Sequence, residues 1–407
     1  MKIIRIASGQ DYLLLPELVW DGISEGPVKD QAVQVSGGLI SKILPVTELC
    51  DSTEGHPKIL DLRGITLMPG LVDCHVHFSM NSENLFQAID DWDNRPDVME
   101  NQVRKAAADY LLNGVIAVRD GGDKKGISLN VRDSIKRGDY PGPLVTATGK
   151  AIYRRGLYGE FLGPGIKSPK EAINQVRLFK EEGVDQIKIV LSGLVSFKDF
   201  GIVGPPQFTF EELEPVVYEA HSLGLRVMAH ASSAKAVEIA AKAGVDSVEH
   251  GYFVETAQLE LMAKNKTAWV PTLAPLGNLV AGKHLPYRGA DLEVIRKTLE
   301  IQISRLKEAW ELKVQVGVGT DAGANLVLHG YSYHDELSYY SLAGLSNRTI
   351  LQSATSVSAR IINCDTMLGT ISPGKKPFLI GLTGNPFISL QSLVSPALVI
   401  IPDTQCL

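Results

Sequence analysis

Cysteine is scarce in this chain. Among 407 residues only Cys50, Cys74, Cys364 and Cys406 carry a thiol, too few and too scattered for a disulfide framework. None forms a Cys-x-x-Cys pair of the kind that holds zinc or cycles between redox states. Long apolar runs are missing too. Arg5, Gln10 and Asp11 interrupt the N-terminal MKIIRIASGQDYLLL before it reaches signal-peptide length, and no stretch approaches the ~20 apolar residues of a membrane helix. Nor does charge of one sign accumulate. The 40 Lys+Arg stand against 46 Asp+Glu, a net charge of -6, with no basic stripe and no run of three like charges. That excludes a polyanion-binding surface. A reduced, cytoplasmic, soluble protein with neither nucleic acid nor membrane as partner is expected.

What the chain does have is a repeated alternation of short β-rich runs with amphipathic segments. The expected strands are Leu67–His77, Gly114–Asp120, Pro143–Gly149, Val184–Leu191, Leu225–His230, Val245–His250, Thr267–Pro271 and Val314–Thr320. Helical periodicity predicts Asp97–Asn113, Pro169–Glu182, Thr209–Leu223, Ser233–Ala243, Asp291–Leu312 and Asn347–Ile362. Thr209-Phe210-Glu211-Glu212 reads as a capping box. Eight βα units without a hairpin predict an α/β fold, a closed (β/α)8 TIM-like barrel over residues 67–365. A doubly wound sheet would need a Gly-rich phosphate loop after its first strand, and none is present.

The two ends differ from the middle. Val28–Val35, Leu39–Leu44 and Ile59–Leu62 near the start, and Gly369–Ile371, Phe378–Leu382 and Leu398–Ile401 near the end, are short β runs between turns. Neither end alone could build a core. Residues 1–66 and 366–407 are therefore expected to combine into one small β-sandwich domain beside the barrel.

Four of nine histidines sit at the C-terminal ends of expected strands. His75 and His77 form a His-x-His, so both rings face one side of a strand. His230 ends the fifth strand, His250 the sixth, and Asp321 follows the eighth. Barrel enzymes place catalytic groups at such ends. A lone histidine there is more often a hydrogen-bonded core residue, but five donors at four matching ends make a set suited to zinc or a similar divalent ion. Lys188 lies between Ile187 and Ile189 on the fourth strand, where an unpaired ammonium is costly to bury. Two readings compete for it: a carbamate formed with CO₂ that bridges two metals, or a plain cation paired with Asp321 or a substrate carboxylate.

The run Pro69-Gly70-Leu71-Val72-Asp73-Cys74-His75-Val76-His77, with Lys188, His230, His250 and Asp321, resembles the amidohydrolase superfamily over nearly the whole chain. Ile187-Lys188-Ile189, Ser192-Gly193 and Val248-Glu249-His250-Gly251 resemble its prolidase-type branch, related to imidazolonepropionases, in which the strand-four lysine is carboxylated. Tyr158 stands where that branch commonly has a histidine. Ala231-Ser232-Ser233 follows His230, and Lys376-Pro377-Phe378-Leu379 replaces the family's usual Ala-Asp-Leu.

The resemblance implies two divalent ions, zinc by preference. His75, His77, Asp321 and carboxylated Lys188 would hold the first; His230, His250 and the same carbamate the second. A metal-bridging hydroxide would attack the carbonyl of an amide-type C–N bond in a dipeptide or N-acyl amino acid, with Asp321 as the catalytic proton carrier. A carbamate, urea or aryl amide is the alternative substrate. A mononuclear deaminase would lack Lys188, and a non-catalytic scaffold would lack metal ligands. Self-association into a homo-oligomer is implied as well, since many relatives associate.

Substrate contacts are expected from Arg155 and Tyr158 (with Arg154) after the third strand, and from Tyr252 after His250. His329 and His334 are expected on loop surface, and His221 and His56 as structural or exposed. His284 falls in a Gly277–Gly289 loop that could form a lid. Arg119-Asp120 reads as a structural pair.

Overall fold

The computed structural model describes residues 1–49, 57–282 and 289–403; Cys50, His56, His284 and Cys406 lie outside these. Both ends of the chain feed one mixed, eight-stranded sheet. Lys2–Ile6 runs parallel to Leu398–Pro402, which is antiparallel to Leu379–Leu382. The order continues through Lys58–Pro69, Tyr12–Val19, Gln31–Ser36 and Leu39–Pro45, with Val28–Lys29 beside Tyr12–Val19. Its inward residues, among them Leu14, Val33, Ile40, Leu67 and Ile400, form a core of their own. Gly369–Ile371 is not one of its strands. Gly369 takes a positive φ of 87° and turns the chain there.

The expected strand Leu67–His77 is two strands in two sheets. Lys58–Pro69 ends in the mixed sheet, and Leu71–Val76 begins a parallel one. Gly70 is the crossing point. Its N–H bonds Phe378 O at 3.0 Å, while the next N–H, of Leu71, bonds Gly114 O at 3.0 Å. A Cβ on Gly70 would lie 2.1 Å from Ile116 Cγ1, so only glycine fits this switch.

Leu71–Val76, Val115–Asp120 and Leu144–Ala147 form a three-stranded parallel sheet. Ala151–Ile152, Gln186–Val190, Arg226–Ala231, Ser247–His250 and Ala268–Val270 form a five-stranded parallel one. Nearly every residue of these strands is buried, as expected when helices cover the outer face and side chains fill the inner one. Asp185 N bonds Ala147 O at 2.9 Å between the two sheets.

Val314–Thr320 is not a regular strand; Val316 makes a single bridge to Trp269. The segment is nonetheless bonded on both sides. Trp269 N meets Gln315 O at 2.8 Å, Cys74 N meets Val318 O at 2.8 Å, and Asp321 N meets His75 O at 2.7 Å. Glycine explains the irregularity. A Cβ on Gly319 would sit 2.4 Å from Val270 Cγ1 and 3.1 Å from His75 Cβ, so the chain is squeezed between its neighbours.

The capping box read from the sequence forms. Thr209 Oγ1 accepts from Glu212 N at 3.3 Å while the Glu212 carboxylate accepts from Thr209 N at 3.0 Å, closing the capping box of Phe210–Ser222. The helix expected over Asn347–Ile362 is broken by a π-helical turn at Ser353–Val357. There Ser358 Oγ donates to Ser353 O at 2.6 Å and accepts from Val318 N at 3.0 Å, so the turn serves the irregular segment. Gly277 lies inside the helix Ala274–Ala281 rather than in a loop. No helix among the described residues is long and apolar enough to cross a membrane.

Arg119 ties the inner face together. It donates from Nε to Cys74 O at 2.6 Å, from Nη1 to Ser247 Oγ at 2.9 Å and from Nη2 to Glu249 Oε1 at 2.8 Å. The expected pair with Asp120 does not form, because neighbours on a strand face opposite sides. Asp120 instead accepts from Phe78 N at 2.8 Å and Gly122 N at 2.7 Å. Arg119→Met would leave the buried Glu249 carboxylate without its cation, which should cost about 3–5 kcal/mol in equilibrium denaturant unfolding. A loss below about 1 kcal/mol, the scale of an exposed pair, would contradict this role.

Candidate metal centre

Four parallel strands and the end of the irregular segment converge on one cavity of about 430 Å³. His75 closes the floor on one side. Its Nδ1 lies 2.8 Å from Glu249 Oε2, which fixes the proton on Nδ1 and leaves the Nε2 lone pair facing the cavity. His77 is oriented the same way by Gly122 O, 2.9 Å from Nδ1. Both Nε2 atoms lie 3.6 Å from Asp321 Oδ1. The donor atoms of His75, His77 and Asp321 all fall within 4.8 Å of one another.

His230 and His250 make a second pair, ring centroids 4.5 Å apart, and His250 lies 5.1 Å from His75. His250 Nδ1 is 2.7 Å from Thr272 Oγ1. His230 Nε2 lies 3.3 Å from Ser232 Oγ and 3.5 Å from Gly193 O. Lys188 Nζ stands 3.3 Å from His75 Nε2, and the side chain is only 2% exposed.

Backbone strain gathers here. His250, Thr272 and Asp321 hold positive φ of 69°, 49° and 58°, each costing about 1–3 kcal/mol for a residue with a Cβ. The surrounding structure imposes these angles, and they aim the imidazole and carboxylate at the cavity.

Burial strips the imidazoles of charge. It pulls the His77 and His230 pKa values down to about 3, assisted by the nearby Lys188 ammonium. His75 and His250 fall well below the ordinary histidine range for the same first reason. Burial also lowers Lys188, opposed by Glu249 and Asp321, and raises Asp321, opposed by Lys188. Four neutral imidazoles and a carboxylate around one cavity suit a divalent cation.

Six residues read from the sequence as metal-ligating, His75, His77, Lys188, His230, His250 and Asp321, therefore line the same cavity. Tyr158 and Tyr252 line it as well, their rings 5.5 Å from His230 and 5.6 Å from His250. Arg155 does not. It is exposed, and its Nη2 reaches Gly165 O at 3.4 Å. Arg154 is drawn aside by Glu212, at 2.9 Å.

His329 is a correction. It is buried, not loop surface, between Tyr110 Oη at 2.9 Å and Met80 O at 3.0 Å. His334 is half-buried on the helix Ser332–Leu342. Glu249 is the residue that sequence reasoning missed. A carboxylate between Val248 and His250 on a fully buried strand was itself the signal, since such a charge requires a partner.

The amidohydrolase family model matches residues 66–401. Ochratoxinase of Aspergillus niger is 24% identical over 404 residues, covering 92% of this chain and 81% of the relative. A crystal structure of a Xaa-Pro dipeptidase with methionine in its active site superposes with a TM-score of 0.83 at 29% identity, over 96% of this chain and 98% of that one. Phenylurea hydrolase B, at 19% identity and a TM-score of 0.80 over 96% of both chains, shares the fold. These neighbours imply a TIM-barrel-type fold with an extra domain. The chain belongs to the amidohydrolase family, in its prolidase-like branch, and is a hydrolase acting on C–N bonds.

Proposed function

We propose that the chain is a binuclear metal-dependent amidohydrolase that cleaves an amide-type C–N bond in a small molecule. The two parallel sheets would close into a (β/α)8 barrel over residues 67–365, flanked by a small domain built from both ends. The observation that carries this reading is the convergence of four neutral imidazoles, Asp321 and Lys188 on one cavity. His75, His77 and Asp321 would hold one divalent ion and His230 and His250 the other, zinc fitting this nitrogen-rich set.

Lys188 belongs between the two pairs as a carbamate. An ammonium there would repel both cations. Loss of one proton gives the free amine; adding CO₂ to it forms an N–C bond and releases a second proton, so a carboxylate stands where the ammonium was.

When bound, the ions supply a water ionised at neutral pH and a polarised substrate carbonyl. The chain's own residues then handle the proton. Asp321, raised in pKa by burial, takes it onto Oδ and gives it to the departing amine nitrogen. Glu249 keeps His75 in the tautomer that offers Nε2 to the cavity. Tyr158 and Tyr252 bound the space beside His230 and His250, where the substrate must lie. The amide-cleaving character agrees with the Xaa-Pro dipeptidase likeness.

Three variants test the assignment. Asp321→Asn should lower kcat by about 10²-fold or more, the scale of losing a general acid/base; near-normal kcat with metal still bound would remove Asp321 from this role. Lys188→Ala should lower metal content, with partial rescue by a short carboxylic acid, and unchanged content would make Lys188 a mere cation. Glu249→Gln should weaken metal affinity about 10–100-fold in chelator competition, as losing such an outer partner does, whereas unchanged affinity would leave Glu249 a partner of Arg119 alone.

A further inference from the structure

Above the histidines the cavity wall is apolar. Met80, Leu85, Phe161 and Leu162 stand on one side, and Leu194, Val195 and Phe197 face the same space. Among the described residues lining it, the charged side chains are Lys188 and Asp321, both at the floor. The nearest arginines in sequence are engaged elsewhere, Arg154 with Glu212 at 2.9 Å and Arg155 with Gly165 O. The apolar character continues outward. Leu194 is 56% exposed and Leu157 40% exposed, and both line a shallow depression with Tyr158 and Pro205. Exposed leucines at the mouth of an apolar cavity mark a contact surface for an apolar ligand.

We propose that the substrate is an uncharged amide, carbamate or urea with a bulky apolar or aryl group, and not a dipeptide or N-acyl amino acid. This rests on the hydrolase reading above. A free carboxylate placed against this wall would lose its hydration and find no cation to pair with among the described wall residues. An aryl group would instead bury apolar surface there. Hydrolysis breaks the C–N bond, forms a C–O bond to the water oxygen and puts a proton on the departing amine; the new carboxyl group forms at the floor, so the apolar wall has no anion to hold.

The test separates binding from turnover. Ketomethylene isosteres, with CH₂ in place of the amide NH, cannot be hydrolysed. Calorimetry on the metal-loaded protein would compare the isostere of benzanilide with that of N-benzoyl-phenylalanine. The neutral compound should bind at least about 10-fold more tightly, and Leu85→Lys, which adds a cation to the half-buried wall, should narrow that gap. Equal or tighter binding of the carboxylate, or no binding of either, would overturn the proposal. Turnover of benzanilide and of aryl carbamates and ureas is read separately. If the neutral isostere binds but none of these is cleaved, the hydrolase reading fails while the binding preference stands. If N-benzoyl-phenylalanine binds better and is cleaved, the substrate class falls and the hydrolase reading stands.

Discussion

The two oxygens of the Glu249 carboxylate have different partners. Oε2 holds His75 Nδ1 at 2.8 Å, and Oε1 holds Arg119 at 2.8 Å and Ser247 Oγ at 2.6 Å. All of these groups are buried, so none can fall back on water if one is lost. Through Arg119 the network reaches Cys74 O on the strand that carries His75. The orientation of the first histidine and the packing of the inner face thus depend on one carboxylate. Such a network is stable only when complete, which explains why no oxygen of Glu249 is left without a partner.

Around that anchor, the positive-φ residues define what the fold gives up for its site. His250 and Asp321 sit in strained backbone at the ends of their segments, and the irregular Val314–Thr320 segment gives up a regular ladder. Gly317 and Gly319 let it pass between Trp269 and Cys74, and the π-helical turn at Ser353–Val357 supplies Ser358 to bond Val318 N. These departures from regular structure surround Asp321, the group given the proton-carrying role.

Much of this was legible in the sequence, for identifiable reasons. Alternating apolar runs and capping signals locate the parallel strands within a few residues, because strands buried on both faces must be continuously apolar. Histidines at matching strand ends reveal the cavity floor because period-two geometry carries His75 and His77 to one face. Other features depend on contacts distant in sequence. Gly70 ends one sheet because Ile116 approaches it, and nothing near Gly70 in sequence announces that. The strand Tyr12–Val19 is hidden because Leu13-Leu14-Leu15-Pro16 does not alternate. In sequence Arg119 stands beside Asp120, but the strand turns them apart and Glu249 comes across the inner face. Substrate contacts were least legible, since they depend on where loop side chains such as Arg155 finally point.

The pairing of two ions through Lys188 is the claim on which the chemistry turns, and metal stoichiometry tests it most directly. Protein purified with bicarbonate and without chelator would be measured by elemental analysis. About two divalent ions per chain are expected from a bridged pair of sites. About one would contradict the bridge and leave Lys188 as a cation beside a mononuclear site. None, with no rise on adding metal, would contradict the metal centre itself.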